Sequence, residues 1–146
     1  MNNIFFFNAD KAVRLKSKGS IRSVLNELFQ REALALKRLN YIFCSDKYLL
    51  RLNKKYLNHN TLTDIITFPL SKSGKPIDAE IYISVERIQE NSLKLKEKFE
   101  DELLRVIIHG ALHLCGYKDK SKTEKGEMRK QEDFYLHRFY VSRESK

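Results

Sequence analysis

The hydrophobic pattern of the chain alternates between short strand-length runs and longer stretches with helical spacing. Ile4 to Phe7 is a compact apolar run, and Ser20 to Ala33 follows with Ile21, Val24, Leu25 and Leu28 on one helical side. Tyr41 to Cys44 is a second strand-length run. Ser45 then stands as an N-cap for a helix from Asp46 to about Tyr56, because its side-chain oxygen can accept from a free N–H of the first turn. Leu57 to Thr63 reads as a polar loop. Ile65 to Phe68 is β-branched and apolar, is limited by Pro69, and is followed by a turn from Ser71 to Pro76. In Ala79 to Ser84, Ile81 and Ile83 alternate with Glu80 and Tyr82, the pattern of a half-buried strand, and Ser84 caps a helix from Val85 to Phe99. Leu103 to Cys115 is apolar on nearly every side, as a buried helix is. The last helix runs from about Thr123 to Val141, with Met128, Phe134, Tyr135 and Phe139 as apolar contacts. The expected fold is α+β: one domain over residues 1–146, with a small mixed four-stranded sheet backed by about five helices.

Two histidines break the most apolar of these helices. His109 and His113 are four residues apart, so their side chains leave one face with Cβ atoms about 6 Å apart, and both imidazoles can reach one cation. Gly116 is placed to end the helix in a left-handed conformation and reverse the chain. Asp119, just past that turn, can return over the same face as an oxygen ligand. Three protein ligands leave a coordination position open, as catalytic rather than structural zinc sites do. Two histidines at this spacing also occur as hydrogen-bonded core residues; the buried helix, the stop and the carboxylate behind it favour the metal.

Composition narrows the partner. With 28 Lys and Arg against 19 Asp and Glu, the net charge is +9, which favours a polyanion. Lys118, Lys120, Lys122, Lys125, Arg129 and Lys130 cluster just after the candidate ligands, where they either meet phosphate or form the solvated face of the last helix. The apolar start, Met1 to Phe7, is far too short for a secretory core or a membrane span, so no membrane partner and a cytoplasmic location are expected. Cys44 and Cys115 suggest no disulfide framework.

The segment His109-Gly110-Ala111-Leu112-His113-Leu114-Cys115-Gly116-Tyr117-Lys118-Asp119 resembles the motif H-G-x-L-H-L-x-G-Y-D-H of the YbeY-type family of single-strand endoribonucleases. Leu52-Asn53 through Tyr56, then Thr63-Asp64-Ile65-Ile66-Thr67-Phe68-Pro69, resembles the family's L-N-x-x-Y and T-D-V-L-S-F-P. The two motifs stand in the family's order and cover roughly residues 40 to 130.

The resemblance implies a zincin-like α+β fold, one zinc ion per chain, and cleavage of single-stranded RNA in maturation of the 3′ end of small-subunit ribosomal RNA. The partners it implies are ribosomal RNA and the small subunit or its assembly factors. Three departures stand out. Asp119 replaces the family's third histidine ligand, leaving His59 as an alternative; Lys118 replaces the aspartate of its Y-D pair; and Leu57 stands where an arginine is common, so Lys54 or Lys55 would have to clamp phosphate. Glu80, on the strand expected to flank the histidine helix, is a candidate to orient a ligand or activate water, or else an ordinary surface carboxylate. Tyr117 either stacks a base or packs. Gly110 takes the place of the general base of H-E-x-x-H peptidases, which disfavours a peptidase and leaves room for substrate or water near the metal. The alternative function is a metal-containing ribosome-assembly factor that binds RNA without cutting it.

Overall fold

The computed structural model describes residues 2–57 and 63–144. Among these, four strands and five helices follow in the order β1 (Ile4–Asn8), α1 (Lys18–Arg31), β2 (Leu36–Cys44), α2 (Asp46–Leu57), β3 (Ile65–Pro69), β4 (Ile77–Ser84), α3 (Val85–Leu95), α4 (Phe99–Leu114) and α5 (Lys122–Glu144). The sheet order is β1-β2-β4-β3; β1, β2 and β4 are parallel, and β3 runs antiparallel to β4 along one edge. The α+β expectation holds. Ser45 and Ser84 cap as expected, accepting from the backbone N–H groups of Tyr48 and Arg87 at 3.0 and 3.2 Å.

Three boundaries differ from the pattern reading. β2 begins at Leu36 rather than Tyr41, because β4 supplies ladder partners there, Ile77 for Leu36 and Asp78 for Arg38 across a register shift at Lys37, before β1 joins on the other side at Leu39. α3 stops at Leu95, where Lys96 turns left-handed (φ 55°) and its N–H returns to Leu93 and Ser92. Phe99 therefore opens α4 instead of closing α3. Pro69 is the last residue of β3 rather than its outer limit, tolerated on an edge strand that needs no second donor row.

Strand alternation gives the sheet two unlike faces. Leu39, Tyr41 and Phe43 of β2 with Ala79, Ile81 and Ile83 of β4 point into the main core, where they meet Leu25 and Leu28 of α1, Ile88 of α3, Ile107 and Ala111 of α4, and Tyr135 and Phe139 of α5. On the other face, α2 covers a smaller cluster of Cys44, Leu49 and Ile66. α4 lies in the main layer, buried along most of its length. Tyr41, fully buried, donates its hydroxyl to the Ile107 carbonyl at 2.8 Å, tying α4 to the centre of the sheet. Gly110 makes the approach to β3 and β4 possible, since a Cβ there would lie 2.9 Å from Ile65 Cδ1 and 3.0 Å from Ile81 Cδ1. The sequence suggested that this glycine leaves room for substrate or water; instead the side chains of Ile65 and Ile81 fill the space.

Candidate metal centre

The last two turns of α4 carry His109 and His113, and the loop behind it carries Asp119. Gly116 (φ 99°) ends the helix: its N–H bonds the His113 carbonyl at 3.0 Å and the Tyr117 N–H bonds the Leu112 carbonyl at 3.1 Å, the paired bonds of a left-handed helix terminus. The loop is pinned at its far end by a reciprocal cap on α5, with Glu124 N–H donating to Ser121 Oγ and Ser121 N–H to Glu124 Oε1. Asp119 is held between these two devices and turned back over the helix.

The result is a convergent group. Asp119 Oδ2 lies 3.1 Å from His109 Nε2 and 3.3 Å from His113 Nε2, and the two imidazoles stand nearly perpendicular with centroids 4.5 Å apart. One donor atom from each of the three lies within 4.8 Å of the others. The Nδ1 atoms face away from this point. His113 Nδ1 donates to the Tyr117 carbonyl at 3.0 Å, and His109 Nδ1 sits 2.6 Å from Glu132 Oε2 of α5. With both Nδ1 atoms engaged, both Nε2 atoms and a carboxylate oxygen are left to share one cation, so the donor set fits a divalent metal.

The half-buried site is backed by a buried charge network. Glu132 is only 5% exposed and its second oxygen accepts from Arg105 at 3.0 Å; Arg105 also reaches Asp133 at 3.0 Å. Burial works against a charged His109, yet the bond to Glu132 and the charges of Glu132, Asp119 and Asp64 raise its pKa above the ordinary value. Burial also raises Asp64, opposed by His109 and reinforced by Asp119 and Glu132.

His109, His113 and Asp119 lie in a cleft of about 1090 Å³ that β3, the turn between β3 and β4, and the end of α2 complete. Asp64, Leu57, Lys72, Lys75 and Lys120 also line it. The other sequence candidates fall elsewhere. Glu80 pairs with Phe68 and Asn40 on the α2 face of the sheet, opposite Ile81 and α4, and accepts from Tyr82 Oη at 3.2 Å; it cannot orient a ligand from there. Lys54 and Lys55 are exposed on the outer side of α2, with Lys55 over the Tyr56 ring, while Asn53 and Leu57 are the α2 residues that meet the cleft. Tyr117 packs against the main core, and its hydroxyl, hydrogen-bonded to Glu32 and partly desolvated, is pushed up in pKa. Lys118 is exposed, and His59 lies outside the described residues.

Sequence reading overlooked Glu132 and Arg105. A signal existed for the first: Met128, Glu132, Tyr135 and Phe139 share one helical stripe, and a lone carboxylate on a buried stripe demands a partner.

A small α+β frame thus presents two helix histidines and a loop carboxylate, a group that could hold a metal ion, at the floor of an open cleft. The chain belongs to the YbeY family, whose model, described as Endoribonuclease YbeY, matches residues 5–140. The Endoribonuclease YbeY of Cytophaga hutchinsonii is 45% identical over 133 residues, covering 91% of this chain and 93% of its own. That of Karelsulcia muelleri is 58% identical over 101 residues, covering 69% and 71%. A solution structure of a Thermotoga maritima protein superposes with a TM-score of 0.68 at 27% identity, covering 97% of this chain and 92% of the other. Among the described residues, no helix is long and apolar enough to cross a membrane.

Proposed function

We propose that the protein is a zinc-dependent endoribonuclease that cuts single-stranded RNA and acts in the cytoplasm in maturing the 3′ end of small-subunit ribosomal RNA. The observation that carries this reading is the meeting of His109 Nε2, His113 Nε2 and Asp119 Oδ2 at the floor of a cleft rimmed by lysines. These three residues would hold the ion, which when bound supplies Lewis-acid activation of a phosphoryl oxygen. Lys72, Lys75 and Lys120 line the cleft and offset the charge of phosphates on either side of the cleaved bond. Asp64 lines the same cleft outside the ligand group, with a carboxyl whose proton affinity burial has raised. It accepts the proton of the attacking oxygen.

Asp119 makes the ligand set one charge more negative than three imidazoles, which favours harder divalent ions relative to zinc more than a three-histidine site would. Leu57 supports a second reading. It is 41% exposed on the cleft wall and offers no charge to phosphate, as suits an assembly factor that docks on RNA without cutting it.

Elemental analysis of the purified protein, paired with cleavage of a single-stranded RNA with and without chelator, tests the proposal. The expected result is about one metal per chain and chelator-sensitive cleavage that Asp64→Asn reduces without loss of metal. Fully metal-loaded protein that binds single-stranded RNA but leaves it and precursor ribosomal RNA in intact subunits uncut would leave only the assembly-factor reading.

A further inference from the structure

We infer that Glu132 is a positioning residue for the metal centre: it locks His109 in the tautomer that carries the proton on Nδ1 and leaves Nε2 as the electron-pair donor. The inference rests on the metal group proposed above and is independent of the RNA reaction.

One carboxylate spans two side chains of α4. Arg105 and His109 are four residues apart and leave the helix on the same face. Between them sits the buried Glu132, with Oε1 at 3.0 Å from Arg105 and Oε2 at 2.6 Å from His109 Nδ1. A guanidinium only donates. Arg105 therefore fixes Oε1 as an acceptor, and its second amino group, anchored on Asp133 at 3.0 Å, holds the guanidinium plane. The carboxylate beside this permanent cation accepts at both oxygens, so His109 Nδ1 has to be the donor. Asp119 Oδ2 competes for that proton at Nε2, but from 3.1 Å and with its side chain 39% exposed. The shorter, buried contact to Glu132 keeps the proton on Nδ1 and leaves the lone pair at Nε2. His113 reaches the same tautomer by another route, since the Tyr117 carbonyl opposite its Nδ1 has no proton to give. Of the two devices, the one built on a side chain can be reversed by mutation.

Glu132→Gln is nearly isosteric and reverses the logic. Facing Arg105, the amide must present its oxygen, which turns its NH2 toward His109 Nδ1. That nitrogen is forced to accept, and the proton moves to Nε2, the ligating atom. Zn2+ affinity, read by competition with a chromophoric chelator, should fall about 10- to 100-fold. The loss should be at least as large as in Glu132→Ala, where water can still accept from Nδ1. Adding Arg105→Ala to Glu132→Gln frees the amide to rotate and should recover part of the affinity. Long-range 1H–15N spectra of metal-free protein, taken above the imidazole titration, should show His109 protonated on Nδ1 in the wild type and on Nε2 in Glu132→Gln.

A role in packing alone predicts the reverse order, with Glu132→Gln close to wild type, Glu132→Ala worse, and Arg105→Ala adding to the loss. That order would overturn the inference, as would a wild-type His109 with its proton on Nε2. The tautomer measurement on the wild type needs neither metal nor RNA nor a folded variant, so a proton found on Nε2 there overturns the inference whether or not the proposed function holds.

Discussion

Glu102, in the first turn of α4, is 5% exposed, and its Oε1 has no hydrogen-bond partner among the described residues. Burial, with the charges of Glu97, Asp64 and Glu132, outweighs Arg105 and pushes its pKa up to about 7. A carboxyl whose folded pKa exceeds its unfolded one holds more protons when folded between the two values. Its contribution to stability therefore falls as pH rises from the ordinary value of 4.5 to about 7, and stays unfavourable above that. Glu102→Gln should be more stable than wild type by up to about 3 kcal/mol near pH 8, with the gap closing near pH 4–5. Urea unfolding at the two pH values checks this; a gap that does not change with pH would refute it. At this scale the sequence offered ligands readily, because histidines in an apolar helix stand out. It concealed Glu102, Arg105 and Glu132, since a charged residue in a helix looks solvated until a neighbouring helix covers it.

α4 is the element on which site and core depend together. The glycine within it and the one just past its end act differently. Gly110→Ala should cost about 1–3 kcal/mol, because the new methyl group meets Ile65 and Ile81 and the helix must lift or the side chains shift. Gly116→Ala meets nothing within 4 Å, but its positive φ adds about 1–2 kcal/mol of backbone strain. It should also weaken Zn2+ binding, because the Tyr117 carbonyl that orients His113 follows directly after that turn. Thermal unfolding with and without Zn2+ separates the two: the ion's stabilising increment should shrink more in Gly116→Ala. Equal increments in both would contradict the coupling of helix terminus to site. Element types were legible from periodicity and caps. The α3–α4 break was not, because Lys96 adopts a left-handed conformation with no glycine or proline to announce it.

Across the whole molecule, positive charge and the cleft set the expected RNA behaviour. Affinity for single-stranded RNA should fall with salt by about 0.7 logarithmic units per decade for each phosphate neutralised. Replacing Lys72, Lys75 and Lys120 together by alanine should reduce that slope by about 2, whereas replacing exposed Lys54 and Lys55 should change it little. Fluorescence titrations over a range of salt concentrations measure both, and equal effects of the two sets would remove the cleft as the RNA path. His109, His113, Gly116 and Asp119 sit within eleven consecutive residues, so helix period and one reversal bring them together, and the chain order alone determined that group. The strand and helix types were likewise determined locally, by alternation, spacing and capping residues. Tertiary structure decided which face each strand residue took, sending Glu80 to the α2 side and packing the sheet against Gly110. It also brought Glu132 to His109 across 23 residues, and the lysines of the β3–β4 turn to the cleft. Such contacts depend on how helices dock on a two-faced sheet, and no local pattern encodes the partner that burial will supply.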